Sequence, residues 1–387
     1  MIFQPQLRIP GPTPLPERVV RSMSRPMIDH RGPEFAAILG EVVTGLRTVF
    51  RTANEIVVIT CSGTGGLESA VANMVSPGEK VVVAHCGNFG ERFVSINRAY
   101  GAEVVTLEAE WGRPVEAQDL RDVLAAHPDA GVVFLTHNET STGLTNPLQG
   151  LARVAKDAGR LVVVDGVSSV SSMPIDTDGW GLDVVVSGSQ KGWMAPPGLA
   201  FISISEAAWQ RQAQARSPRF YFDYAKLRGD IAKGMTPFTP AVGVVFAVQE
   251  GIRMLLEEGL DEVYARHRRI ADATAAAMTA LGFRLFAAEG HRSATVTSAL
   301  PMDGLDVSAF RKLLRERFGV VIAGGQGKMT GKLVRVGHLG AVSEGDIVQV
   351  LWAIEQALEV LDIAPADGRA LAAAGEVLAS HAPAVTV

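Results

Sequence analysis

The residues best suited to chemistry stand where short aliphatic runs end. Leu161-Val162-Val163-Val164-Asp165 carries a carboxylate at the tip of such a run. Burying that charge is costly unless a cation or several donors meet it, and the plainer alternative is a helix N-cap. Ser187-Gly188-Ser189-Gln190-Lys191-Gly192 closes a following run with a single amine, which by itself is more often a solvated side chain. Cys61-Ser62-Gly63-Thr64-Gly65-Gly66 leaves another run and leads into Leu67-Glu68-Ser69-Ala70. Small residues at a helix start let backbone N–H groups approach an anion, or they make an ordinary tight turn. The segment is neither the G-x-G-x-x-G dinucleotide pattern nor a phosphate loop ending in GK[ST]. Gly87-Asn88-Phe89-Gly90-Glu91-Arg92 offers Phe89 as a ring to stack on a flat ligand or to pack the rim. Thr136-His137-Asn138-Glu139-Thr140-Ser141-Thr142-Gly143 crowds polar groups at a further run end, as ligand contacts or as a capped loop before Asn146 and Pro147.

Each feature has a bland reading, but together they are complementary. An anion cradle at Ser62, Gly63 and Thr64, a ring at Phe89, a carboxylate at Asp165 and an amine at Lys191 are the parts pyridoxal 5'-phosphate requires. Lys191 would form a Schiff base with the aldehyde and later carry a proton. Asp165 would keep the pyridine nitrogen protonated so that the ring accepts carbanion electrons. Val167 would pack the ring face opposite Phe89.

Positioning these groups requires a sheet whose strands end together. The runs predict strands over 55–60, 80–84, 103–107, 131–136, 161–165, 182–187 and 199–203, with helices over 88–100, 116–126 and 147–158. Val162-Val163-Val164 and Val184-Val185-Val186 lack alternation, as strands covered on both faces do. The expected class is α/β: a large domain with a mostly parallel seven-stranded sheet sandwiched by helices, binding its ligand beyond the carboxyl ends of the strands. After Gly259 a helical stripe over 260–281 opens a second region, with strands over 294–300, 319–323 and 333–336 and helices over 307–317 and 344–361. This predicts a smaller C-terminal α+β domain. The expected division is a large domain with an N-terminal arm over 1–255, a small domain over 256–365, and an Ala-rich tail over 366–387 that forms a terminal helix or a loose end.

Composition sets the outer limits. A chain of 387 residues, 47% hydrophobic and 20% charged, can build a sizeable core without disulfides or a structural metal. A net charge of −5 without a basic run argues against nucleic acid as a partner. Cys61 and Cys86 lack disulfide-framework or metal-ligand spacing, so no metal is expected. Met1-Ile2-Phe3-Gln4-Pro5 does not read as a signal peptide, and no apolar run reaches membrane-spanning length. A cytoplasmic location without membrane partners is the expectation.

The motifs, taken in order, resemble a fold-type I, class V aminotransferase of the alanine/serine–glyoxylate group. The resemblance runs from about Leu7 to about Leu361, adding Pro10-Gly11-Pro12-Thr13 and Leu333-Val334-Arg335-Val336-Gly337 to those above. It implies that Lys191 anchors the cofactor and Asp165 meets its ring nitrogen, while Thr140 hydrogen-bonds its phenolic oxygen. Ser62, Gly63, Thr64 and Gln190 would hold the phosphate, and Arg335, with Gly11 nearby, the substrate α-carboxylate. It also implies a homodimer in which Thr239, within Thr236-Pro237-Phe238-Thr239-Pro240, reaches the phosphate of the other subunit. Three positions depart from many or some relatives: Phe89 for Trp, Thr64 for His and Thr236 for Tyr. The implied reaction moves an amino group from alanine or serine to glyoxylate or pyruvate. Ureidoglycine, aspartate, 2-aminoethylphosphonate and pyridoxamine remain open as donors, and a non-catalytic PLP-binding protein is the alternative of another class.

Overall fold

The computed structural model describes residues 5–380. The Met1–Gln4 start and the last seven residues of the expected tail lie outside them. In chain order the strands are β1 (Gln6–Arg8), β2 (Glu55–Ile59), β3 (Lys80–His85), β4 (Glu103–Glu108), β5 (Val132–Thr136), β6 (Asn138–Glu139) and β7 (Leu144–Thr145). There follow β8 (Leu161–Asp165), β9 (Val184–Gly188), β10 (Ala200–Ile204), β11 (Arg284–Leu285), β12 (Val296–Leu300), β13 (Val320–Gly324) and β14 (Val334–Gly337).

Seven strands form the large sheet in the order β2-β10-β9-β8-β5-β3-β4. Only β10 runs against its neighbours. All seven lie within a residue or two of the positions expected from the aliphatic runs. Their lack of alternation has a direct cause. Val82, Val133, Val162, Val164 and Val185 enter one apolar core, while Val81, Val83, Val132, Val163, Val184 and Val186 enter another on the opposite face. At roughly 1.5–3 kcal/mol for each fully buried valine, neither face can be left to solvent. Helices including Gly63–Met74 and Asn88–Ala99 cover one face, and Pro33–Phe50, Leu148–Asp157 and Val242–Glu258 cover the other. No helix among the described residues is long and apolar enough to cross a membrane.

The second sheet, in the order β1-β13-β14-β12-β11, packs on the C-terminal helices around its own core. Its first strand comes from the N-terminal arm, which pairs Gln6 with Val320 and Arg8 with Ile322. The buried Arg8 guanidinium meets Asp346 at 2.8 Å, which holds the arm in place. The Ala-rich segment forms the helix Arg369–Ser380, with Ala370 and Ala374 buried in the same core. Small side chains let it seat closely against Leu260–Ala280.

Candidate active site

The carboxyl ends of β8 and β9 set the two central groups. Asp165, only 6% exposed, ends β8 and accepts the Val167 N–H on Oδ1 at 2.9 Å. Burial pushes its carboxyl up to about 6; the Val167 N–H lowers it, Glu139 raises it further, and Arg92 and Lys191 oppose the rise. Lys191 follows β9 in a turn, and its Nζ donates to Pro10 O at 2.5 Å. Burial pushes this amine down to about 8, against the pull of Asp165 and with the help of Arg335 and Arg92. Gly11 explains how the chain passes so close. A Cβ there would lie 2.6 Å from Lys191 Nζ, and its φ of +128° is one that L side chains rarely adopt.

The end of β2 lies beside the same turn. Ser62 caps the helix Gly63–Met74 by accepting the Gly65 N–H at 3.2 Å. Space here is scarce: a Cβ on Gly63 would meet Val167 Cγ1 at 3.0 Å, and one on Gly188 would meet Gly63 Cα at 3.3 Å. Gln190 brings its amide to this corner, and its Oε1 is buried without a partner. A primary amide can turn its N–H donors to an acceptor just as well. Thr64 Oγ1 accepts from Arg92 Nη1 at 2.8 Å, adding a cation. A helix N-terminus, an unsatisfied amide and an arginine fit a phosphate dianion.

Phe89 lies in the first turn of Asn88–Ala99, half-buried, with the Arg92 guanidinium 4.8 Å from its ring centroid. Thr140 donates through Oγ1 to Ser168 Oγ at 2.9 Å, and its carbonyl accepts Arg335 Nη1 at 3.1 Å. Arg335 stands on β14 and is 5% exposed. Its Nε donates to Gly324 O at 2.8 Å and its Nη1 also reaches Gln326 Oε1 at 3.2 Å. Burial pushes this guanidinium down to about 10. Nη2 makes no hydrogen bond among the described residues and is left for an anion.

The two sheets therefore bring together Gly11, Ser62, Gly63, Thr64, Phe89, Thr140, Asp165, Val167, Gln190, Lys191 and Arg335. Thr239 stands apart. It is exposed on a loop held by Thr236 Oγ1 donating to Phe238 O at 2.7 Å and by the Ala241 N–H donating to Thr60 Oγ1 at 3.2 Å. Sequence reasoning missed Arg92, Glu139, Ser168 and Gln326. Arg92 had a signal, since it falls three residues after Phe89 on one helix face. Gln326 had none, because only the fold of β13 and β14 brings it to Arg335.

Residues 8–340 match the family described as aminotransferase class-V. The chain belongs to that family. As a class-V aminotransferase it is a transaminase that uses pyridoxal 5'-phosphate, the group its cradle, carboxylate and lysine fit. It is 41% identical to the small subunit of a soluble hydrogenase from Synechococcus, over 97% of this chain and 98% of that one. It is 36% identical to a serine–glyoxylate aminotransferase from Hyphomicrobium methylovorum, over 99% of this chain and 96% of that one. Among solved structures, the pyridoxamine–pyruvate aminotransferase of Mesorhizobium loti superposes with a TM-score of 0.94 at 28% identity, covering 98% of both chains. Such coverage extends the likeness to both sheets.

Proposed function

We propose that this class-V transaminase takes the amino group of a small amino acid, alanine or serine, and gives it to glyoxylate or pyruvate. The observation that carries the reading is the buried Arg335, held by its Nε and Nη1 and electrostatically coupled to the Lys191 amine. A guanidinium so fixed offers the N–H groups of Nη2 and its charge to an α-carboxylate. The names of the full-length relatives, which pair serine with glyoxylate and pyridoxamine with pyruvate, support small acceptors.

When bound, pyridoxal 5'-phosphate supplies an electron-withdrawing ring and stores the amino group between half-reactions. Lys191 Nζ, which burial keeps partly neutral near pH 7, would hold the cofactor through its aldehyde and carry the proton of the donor Cα. Asp165 would hold a proton at the ring nitrogen. Ser62, Gly63, Thr64 and Gln190 would hold the phosphate, Phe89 and Val167 would pack the ring, and Thr140 would donate to its phenolic oxygen. Gly11 keeps the path of Lys191 open. The enzyme would work in the cytoplasm as a homodimer, with Thr239 of the partner subunit completing each phosphate cradle. Residues 1–255, with the N-terminal arm, make the large domain, 256–365 the small domain, and 366–387 an Ala-rich C-terminal tail.

Half-reaction spectra test it. Alanine or serine should convert the lysine-linked cofactor to its amine form in one turnover, and glyoxylate or pyruvate should restore it. Discharge only by ureidoglycine, aspartate, 2-aminoethylphosphonate or pyridoxamine would replace the donor assignment. Discharge by none of them would leave a non-catalytic PLP-binding protein.

A further inference from the structure

Glu139 is fully buried, and nothing in the reaction described above uses it. Its carboxylate is nonetheless crowded with donors. Oε2 accepts the N–H groups of Phe89 at 3.1 Å and Gly90 at 3.0 Å. Oε1 accepts the Ser141 N–H at 3.1 Å and the Ser141 hydroxyl at 2.5 Å. Ser141 Oγ in turn accepts the Asn88 N–H at 3.0 Å. Every one of these contacts to the carboxylate is a donation, so the donors oppose the upward push that burial gives its pKa.

The first three N–H groups of Asn88–Ala99 are thereby satisfied from outside the helix. The helix has no cap of its own, because position 87 is glycine. Glycine is required there for room: a Cβ on Gly87 would stand 2.5 Å from Glu139 Cδ and 2.6 Å from Ser141 Oγ. β6 ends at Glu139, and the turn that follows sends its side chains to two sides. Glu139 and Ser141 face the helix that carries Phe89, whereas Thr140 faces Ser168 and its carbonyl holds Arg335. One short segment thus ties the ring platform to the carboxylate clamp.

We propose that Glu139 is a positioning residue for the cofactor: its buried carboxylate caps the helix Asn88–Ala99 from β6 and so holds the Phe89 ring against the cofactor ring. The proposal rests on the reading that Phe89 stacks there, so the test must separate the two.

The holoenzyme is compared as wild type, Phe89→Leu, Glu139→Ala, Glu139→Gln and Phe89→Leu/Glu139→Ala. The readouts are the rate of cofactor loss into a trapping solution and the visible circular dichroism of the bound cofactor. Phe89→Leu and Glu139→Ala should each speed cofactor loss about tenfold and weaken the dichroic band. The double variant should be no worse than Phe89→Leu alone to within about twofold, because Glu139 acts through Phe89. Glu139→Gln keeps one oxygen for the Phe89 and Gly90 N–H groups and should recover most of the loss. A double variant that multiplies the two effects to about a hundredfold overturns the proposal. If Phe89→Leu has its effect while Glu139→Ala matches wild type, the proposal fails and the stacking reading stands. If Phe89→Leu changes neither readout, the stacking reading fails and takes the proposal with it. Should Glu139→Ala not fold, Ser141→Ala is the gentler change, withdrawing only the hydroxyl that joins this carboxylate to the Asn88 N–H. Faster cofactor loss from Ser141→Ala supports the proposal, and wild-type behaviour refutes it.

Discussion

The burial of Lys191 determines the pH at which it can capture an aldehyde. Only the neutral amine is a nucleophile. Burial moves its pKa from 10.5 to about 8, so at pH 7 about one molecule in ten is neutral, where an ordinary lysine would offer about one in three thousand. The advantage is about 300-fold in reactive amine at pH 7. Capture of pyridoxal 5'-phosphate by cofactor-free protein should therefore quicken about tenfold per pH unit below about 8 and level off above it. Stopped-flow absorbance across this range, divided at each pH by the rate constant of the neutral amine of N-acetyl-lysine, isolates the protein's amine from titration of the cofactor. Neighbouring charges supply two signed controls. Asp165 raises the Lys191 pKa, so Asp165→Asn should move the midpoint down; Arg335 lowers it, so Arg335→Gln should move it up. Stability has a matching sign. Between about 8 and 10.5 the unfolded chain holds the lysine proton and the folded, cofactor-free chain does not, so this group makes folding more favourable as pH rises through that window. A normalised midpoint near 10 would refute the burial argument, as would variants that shift it in the opposite directions.

Further outcomes follow from the same geometry. Asp165→Asn should retain the cofactor but slow α-proton removal at least about a hundredfold, about 2.7 kcal/mol, and single-turnover rates within about twofold of wild type would rule its role out. Gly11→Ala drives a methyl against the Lys191 side chain at a φ of +128°, so it should abolish the lysine-linked absorbance band and lower thermal stability by about 1–3 kcal/mol. Mixing inactive Lys191→Ala and Thr239→Asp chains after subunit exchange should restore activity, since one mixed site then holds both residues intact. No recovery despite demonstrated heterodimers would show that Thr239 does not act across the interface.

The local pattern made the central sheet legible. An aliphatic run that does not alternate must be covered on both faces, so strands over 161–165 and 182–187 could be read from Val162-Val163-Val164 and Val184-Val185-Val186 alone, the second lying at 184–188 in the structure. Groups at the ends of such strands must then converge, and for that reason Asp165, Lys191 and the Ser62–Thr64 turn could be named together before any geometry was known. Two smaller features were legible in part. The Ala-rich C-terminal stretch showed helical composition but not its seat against Leu260–Ala280. Thr140 showed its hydroxyl but not that its carbonyl carries Arg335.

Contacts distant in sequence required the tertiary structure. Gln6–Arg8 pairs with a strand more than 300 residues away, which makes the N-terminal arm part of the second sheet and leads Pro10 and Gly11 to Lys191. Gln326 reaches Arg335 only because β13 and β14 lie side by side. Glu139 is the sharpest case. In the sequence it is one polar residue among many in a strand-end loop, and no periodicity marks it. Folding removes its carboxylate from water, and burying that charge is tolerable only where matching donors already wait. Local pattern records which face of a strand is apolar; the Phe89 and Gly90 N–H groups that make this buried charge affordable lie about fifty residues away, and only packing brings them to 3.0–3.1 Å from it.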